Sequence, residues 1–315
     1  MFSLQELEAA SRVVYGAMAP TPQYAWPLLA ARTGCEVWVK HENHTPTGAF
    51  KLRGGLVYFD RHQSATGVIC ATRGNHGQSV AFAGRRAGVA VTIVVPRGNG
   101  TEKNAAMRGF GATLIEHGKD FDEARLEAQR LARERNLDWV PSFHPDLALG
   151  VATFAYELLR AVSGLHTVYV PIGLGSGICG VIRTRDLLGC DTRVVGVQSE
   201  LASAYAQSFA AGAVVTTATA DTFADGMATR VPDAAAFEII RNGAERIVTV
   251  GELELAAAMR AYFTDTHNLA EGAGAAPLAA LLREREAMRG RKVGVILSGG
   301  NIDLALFCRI VAGST

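Results

Sequence analysis

Short runs of Val, Ile and other apolar residues recur along the chain. Between them, apolar positions return every three or four residues. The first pattern predicts strands buried on both faces, and the second predicts amphipathic helices. Strands are expected over residues 35–40, 67–72, 89–96, 112–115, 167–172, 193–198 and 292–297. Helices are expected over 51–62, 75–86, 101–110, 121–135 and 146–162, from a glycine-rich turn to residue 188, and through most of 232–282. Val/Ile-rich strands that each feed a helix make an α/β fold of mostly parallel sheets flanked by helices. The alternation forms two clusters, at 67–118 and 167–311, so two domains are expected.

Composition narrows the classes. The 315 residues give a length prior of about two domains. Apolar residues make up 49%, enough for a large core and too many for a disordered chain. Lys and Arg number 31 against 30 Asp and Glu, a net charge of +1, without the basic excess of a nucleic-acid binder. The longest apolar runs are about eight residues, against the roughly 20 of a membrane span. The opening MFSLQELEAASR is acidic and amphipathic, so no secretory leader is expected. Cys35, Cys70, Cys179, Cys190 and Cys308 are odd in number and widely spaced. That pattern suits reduced thiols and a cytoplasmic location.

Five segments could carry chemistry. In HENHTPTGAFKLRGG (41–55), a turn-rich stretch leads into Lys51 at a helix start. The positive end of the helix dipole favours a neutral amine there, as a Schiff-base lysine requires. A solvated surface lysine is the other reading. TRGNHG (72–77) follows a strand and opens a helix, a ready site for a carboxylate or phosphate. An ordinary turn with Asn75 as N-cap fits equally. PIGLGSGICG (171–180) places four glycines between a strand and a helix, which suits phosphate. It also contains GxGxxG at 175–180, with Glu200 twenty residues on, so a dinucleotide-dependent oxidoreductase stays open. LSGGN (297–301) ends the last strand, and EGAGAA (271–276) starts a helix among small residues.

Together and in this order, the segments resemble the fold-type II pyridoxal-phosphate enzymes, in their serine/threonine dehydratase branch. The resemblance spans nearly the whole chain and implies a tryptophan synthase β-like fold. Residues 1–66 and 148–315 would form a large cofactor domain, with 67–147 inserted as a small one. GAFKLRGG resembles the cofactor-lysine motif and implies a Schiff base on Lys51, with Phe50 beside the ring. TRGNHGQS resembles the asparagine loop. Asn75 would reach the cofactor's phenolic oxygen, and Thr72, Arg73, Gly74, Asn75 and His76 would hold the substrate carboxylate. PIGLGSG resembles the phosphate loop, carried by Gly173, Leu174, Gly175, Ser176 and Gly177. FADGMA (223–228) matches the segment near the ring, around Gly226, and LSGGN implies Ser298 at the pyridine nitrogen.

The implied activity is the conversion of a β-hydroxy amino acid, threonine or serine first, to a 2-oxo acid and ammonia. Dehydration of 3-hydroxyaspartate or an aryl-serine, and racemisation, remain within the same fold. A homodimer is implied as well. Three departures stand out. Arg73 occupies a position that is usually Ser or Ala in the family, and a Ser there is the second acid/base of serine racemases. An arginine does not give up its proton in proteins, so that route to racemisation is disfavoured. Arg73 is instead expected to point into the site and contact a carboxylate or a polar β-substituent; an outward-pointing surface arginine is the other reading. Some members bind a divalent cation through a Glu and an Asp six residues later. Glu200 matches the first but Ala206 stands at the second, so no such metal is expected. No regulatory domain follows the LSGGN helix, so feedback inhibition by isoleucine is not expected.

Overall fold

A computed structural model of the chain describes residues 1–313. Its strands are β1 (Gln23–Ala25), β2 (Glu36–His41), β3 (Val68–Ala71), β4 (Val91–Val95), β5 (Thr113–Glu116), β6 (Asp138–Trp139), β7 (Thr167–Pro171), β8 (Arg193–Ser199), β9 (Arg246–Val250) and β10 (Lys292–Leu297). Six form one sheet in the order β1-β2-β10-β7-β8-β9, and four form another in the order β5-β4-β3-β6. Every pairing is parallel except β1 with β2.

The early helices are α1 (Leu4–Tyr15), α2 (Pro27–Thr33), α3 (Lys51–Arg61), α4 (Asn75–Ala87), α5 (Thr101–Gly109), α6 (Phe121–Glu134) and α7 (Pro145–Ala161). The later ones are α8 (Ser176–Leu188), α9 (Ala204–Ala211), α10 (Ala234–Gly243), α11 (Glu252–Thr266), α12 (Gly272–Arg283), α13 (Arg285–Met288) and α14 (Leu304–Val311). The expected strands appear with ends shifted by two residues or fewer, as do the expected helices up to residue 188. One correction concerns 232–282, read above as helical: Arg246–Val250 is a strand on the free side of β8. Its β-branched run completes the sheet edge, and a sheet edge is set by tertiary pairing that local periodicity does not carry.

β1 and β2 belong to the six-stranded sheet. Leu7 and Val14 of α1 and Leu52 and Leu56 of α3 instead share a core with Val68 and Cys70 of β3 and Leu147 of α7. The α3–α7 crossing is close. A Cβ at Gly150 would lie 2.2 Å from the Arg53 carbonyl oxygen, and one at Gly54 would lie 2.7 Å from that of Leu147. Only glycines allow the two backbones to approach so far.

Beneath this crossing lies a dry ionic cluster. Arg53 donates to Glu42 at 2.7 and 3.0 Å and to Glu157 at 2.6 and 2.9 Å. Lys40 donates to Glu157 at 2.5 Å and to the Thr21 carbonyl at 2.6 Å. Two cations face two anions with nearly every donor placed, as buried charge requires. The cluster ties β2 to the helix that begins with Lys51.

Candidate active site

Parallel strands carry ligands beyond their carboxyl ends, and the segments after β2, β3, β7 and β10 converge there. The loop after β2 is stitched to the end of β10. Phe50 N–H donates to the Ser298 carbonyl at 2.9 Å, Gly300 N–H donates to the Gly48 carbonyl at 2.9 Å, and Ala49 bridges Gly299. Lys51 therefore starts α3 directly beside the buried Ser298.

Lys51 Nζ donates to Ser176 Oγ at 2.9 Å. Ser176 opens α8, whose first turn carries no acidic side chain. Gly175 caps that helix at φ +99°, a left-handed conformation that favours glycine. A Cβ on Gly173 would lie 2.4 Å from the Gly226 carbonyl oxygen, so the loops at 173 and 226 touch through backbone. Burial lowers Lys51 to about 8. Its amine is thus neutral in about a tenth of molecules at pH 7, far more than an ordinary lysine. Phe50 meets Phe154 edge-on, with ring centroids 6.1 Å apart, and lies 5.1 Å from Lys51 Nζ.

On the opposite wall, the Thr72 hydroxyl accepts N–H bonds from Gly74 and Gly77 at 3.0 and 3.3 Å, which folds the asparagine loop. Gly74 is the N-cap of α4, so Asn75 is the first helical residue and not the cap read from the sequence. Its side chain is free to leave the helix, and Nδ2 reaches Glu271 Oε1 at 2.7 Å. His76 is buried and lowered to about 3 by burial and by Lys51, against a weaker opposing bond to the Val140 backbone. It is a neutral ring at every ordinary pH. Arg73 is exposed.

The dinucleotide signature finds a different use. Gly180 passes close to Ala152, where a Cβ would lie 3.0 Å from its Cα, so this glycine serves helix packing. The Glu200 carboxylate is engaged by Arg283 at 2.9 Å.

Residues 14–299 match the model of the family described as pyridoxal-phosphate dependent enzyme. The chain belongs to that family. It is 33% identical over 311 residues to an L-threo-3-hydroxyaspartate ammonia-lyase of Pseudomonas sp, covering 98% of this chain and 97% of that one. It is 32% identical over 315 residues to an L-threonine ammonia-lyase of Thermotoga maritima, covering 99% of this chain and 78% of the relative. Among solved structures, the processed form of threonine deaminase isoform 2 from Solanum lycopersicum superposes with a TM-score of 0.91 at 28% identity, over 99% of this chain and 94% of that one. These matches place the pyridoxal-phosphate enzyme in the serine/threonine dehydratase branch with fold type II, and the dinucleotide reading gives way.

The residues present fit pyridoxal 5'-phosphate. Lys51 offers an amine that burial keeps deprotonatable, and the Gly173–Gly177 loop offers a side-chain-poor helix start to a dianion. Gly226 lies against Gly173, and Ser298 lies against Phe50. Three residues of this wall were not singled out from the sequence. Glu271 is buried and pushed up to about 7 by burial and the Asp225 charge, with Lys103 and the Asn75 amide pulling the other way. Lys103 lies under the asparagine loop, where a Cβ on Gly74 would sit 2.9 Å from its Cδ, and pairs with Asp225 at 2.5 Å. Burial opposes its charge, but Asp225 and Glu271 outweigh that and raise it. The EGAGAA and FADGMA segments were signals for Glu271 and Asp225. Nothing in the sequence pointed to Lys103.

Proposed function

We propose that this enzyme dehydrates and deaminates a β-hydroxy amino acid, L-threonine or L-serine first, releasing a 2-oxo acid and ammonia. The observation that carries the reading is Lys51, a partly buried amine lowered to about 8 and set 2.9 Å from Ser176 at the phosphate-type loop. The two ammonia-lyase relatives support it. When bound, the cofactor supplies an electron sink for the charge left at the substrate's α-carbon.

The chain's residues supply the rest. Backbone N–H groups at Gly173–Gly177 bind the phosphate without a basic side chain. Thr72, Arg73, Gly74, Asn75 and His76 form the loop that holds the substrate carboxylate, and Asn75 also turns to the phenolic oxygen. Ser298 would meet the pyridine nitrogen as an uncharged group and would leave it largely unprotonated, a weaker sink that suits prompt β-elimination. Lys51 would take the α-proton on Nζ as a neutral amine. The proton taken from the α-carbon balances the one that departs with the β-hydroxyl as water, and water returns when the released enamine hydrolyses to the 2-oxo acid and ammonia.

A second substrate, 3-hydroxyaspartate, is favoured by exposed Arg73 on the carboxylate loop and by the Pseudomonas relative. A homodimer is supported by Leu28, Phe263 and Leu304, exposed on α2, α11 and α14, of which α2 and α14 both pack on α11. A cytoplasmic location rests on free thiols; among the described residues, no helix is long and apolar enough to cross a membrane.

The test is to record the visible spectrum, reduce with borohydride and map the modified peptide, then assay ammonia release from threonine, serine and 3-hydroxyaspartate. A yellow protein, bleached with the label on Lys51 and active on one of the three, is expected. Labelling elsewhere, or no ammonia from any of them, overturns the reading.

A further inference from the structure

The Asn75 amide is held at both ends. Its Nδ2 donates to Glu271 Oε1 at 2.7 Å, and its Oδ1 accepts from Asn301 Nδ2 at 2.8 Å. Asn301 Nδ2 also donates to the Thr47 carbonyl at 2.8 Å. A backbone carbonyl can only accept, so Thr47 determines which end of the Asn301 amide carries hydrogen. The second Asn301 proton then determines which end of Asn75 is oxygen. The Asn75 nitrogen is left facing Glu271, an acceptor whether ionised or neutral. This chain of polarity starts at a group with a single role, so the direction of each amide follows from chemistry. One proton on Asn75 Nδ2 remains uncommitted. The loop is shaped to admit Asn301: Gly48 adopts φ +69°, and a Cβ there would lie 2.6 Å from Asn301 Oδ1.

We propose that Asn301 and Glu271 are positioning residues that set the direction of the Asn75 amide, so that its spare N–H and not its carbonyl faces the cofactor's phenolic oxygen. The inference rests on the reading above that Asn75 turns to that oxygen. A donor there stabilises the oxyanion; a reversed amide would press its own lone pairs against it and favour the protonated phenol. Glu271 also borders the site on its other side, where a Cβ on Gly299 would lie 2.6 Å from Oε1. Glycine at 299 thus leaves room for the carboxyl oxygen that meets Asn75.

The test uses reconstituted holoenzymes and two readouts, the ratio of visible to near-ultraviolet cofactor bands and the cofactor Kd. In Asn301→Asp no N–H remains to donate to Asn75, acceptors then flank its amide on both sides, and the amide loses its single direction. The visible band is expected to lose intensity to the near-ultraviolet band, and Kd to rise about tenfold, the scale of one hydrogen bond to a charged group. Asn301→Ala should give a smaller change in the same direction. Glu271→Gln, which keeps an acceptor, should stay near wild type, while Glu271→Met should not. In an Asn75→Ala background, substitution at 301 should change neither readout further. If Asn75→Ala leaves the bands unmoved, the reading of Asn75 itself fails. If Asn75→Ala moves them but Asn301→Asp and Asn301→Ala do not, the relay fails. It also fails if the 301 effect persists undiminished without Asn75.

Discussion

Arg53 grips both oxygens of Glu42, at 2.7 and 3.0 Å, with both side chains withdrawn completely from solvent. Arg53 lies two residues beyond Lys51, and Glu42 directly follows β2. The pair therefore fixes the start of α3 against the sheet. Removing one partner of a buried pair strands the other's charge and costs about 3–5 kcal/mol. Arg53→Met leaves Glu42 and Glu157 with Lys40 alone, so a loss of that order is expected, read as a lower midpoint in urea denaturation. Arg53→Lys should recover only part of it, because an ammonium cannot match the planar fork. An unchanged midpoint in Arg53→Met would show that the cluster does not hold the fold.

Lys51 makes the apoprotein pH-dependent in a defined direction. Burial takes the amine from its ordinary 10.5 to about 8. A folded value below the unfolded one gives a contribution that is full above about pH 10.5 and is lost as pH falls through about 8. Apoprotein carrying Lys51→Met should therefore be more stable than wild-type apoprotein at pH 6, by roughly 2 kcal/mol after allowance for the partly exposed amine. The two should converge above pH 10. In the wild type, the rate of borohydride-trappable cofactor capture should climb between pH 7 and 9 and then level off. A flat rate profile over that span would contradict the lowered amine.

Backbone contact between the loops at 173 and 226 gives a steric prediction. In Gly173→Ala the new Cβ would press on the Gly226 carbonyl oxygen at 2.4 Å, and neither backbone can yield without moving a cofactor loop. Overpacking of this kind costs typically about 1–3 kcal/mol. Cofactor affinity should fall by about tenfold or more, measured by fluorescence titration of apoprotein. Gly109→Ala, at the end of α5 with open space around it, is the control. It should bind cofactor normally and gain about 0.5–1 kcal/mol, because alanine restricts the unfolded chain. Equal affinities for the two variants would remove the close approach from the account.

The site was legible where chemistry is local and hidden where it is assembled. Lys51, Asn75, Gly175 and Ser298 sit in strand-to-helix turns whose glycines and polar residues stand out against apolar strands. β9 was missed although Ile247, Val248 and Thr249 are β-branched, because its flanks read as helix and its pairing with β8 is tertiary. Glu271 could be seen only as the start of a small-residue helix. Its partner Asn75 is 196 positions away, and its raised carboxyl value comes from burial that no periodicity records. Lys103 looked like one more charged helical residue. Its pairing with Asp225 spans 122 positions and crosses from α5 to the segment beside Gly226.

Arg73 is predicted to discriminate between substrates. It is exposed on a loop whose neighbours Thr72, Gly74 and His76 are buried, so its charge is available at the site's rim. The other cation beneath that loop, Lys103, is already committed to Asp225 at 2.5 Å. A substrate with a second carboxylate would thus depend on Arg73 far more than serine or threonine would. Arg73→Ala should raise KM for 3-hydroxyaspartate by about tenfold more than KM for serine, the scale of one charge-assisted hydrogen bond. Arg73→Lys should recover part of the loss, because a point charge replaces a fork. Steady-state ammonia release with the three substrates measures this directly. An identical KM ratio in wild type and Arg73→Ala would take Arg73 out of substrate selection and leave threonine or serine as the substrate to pursue.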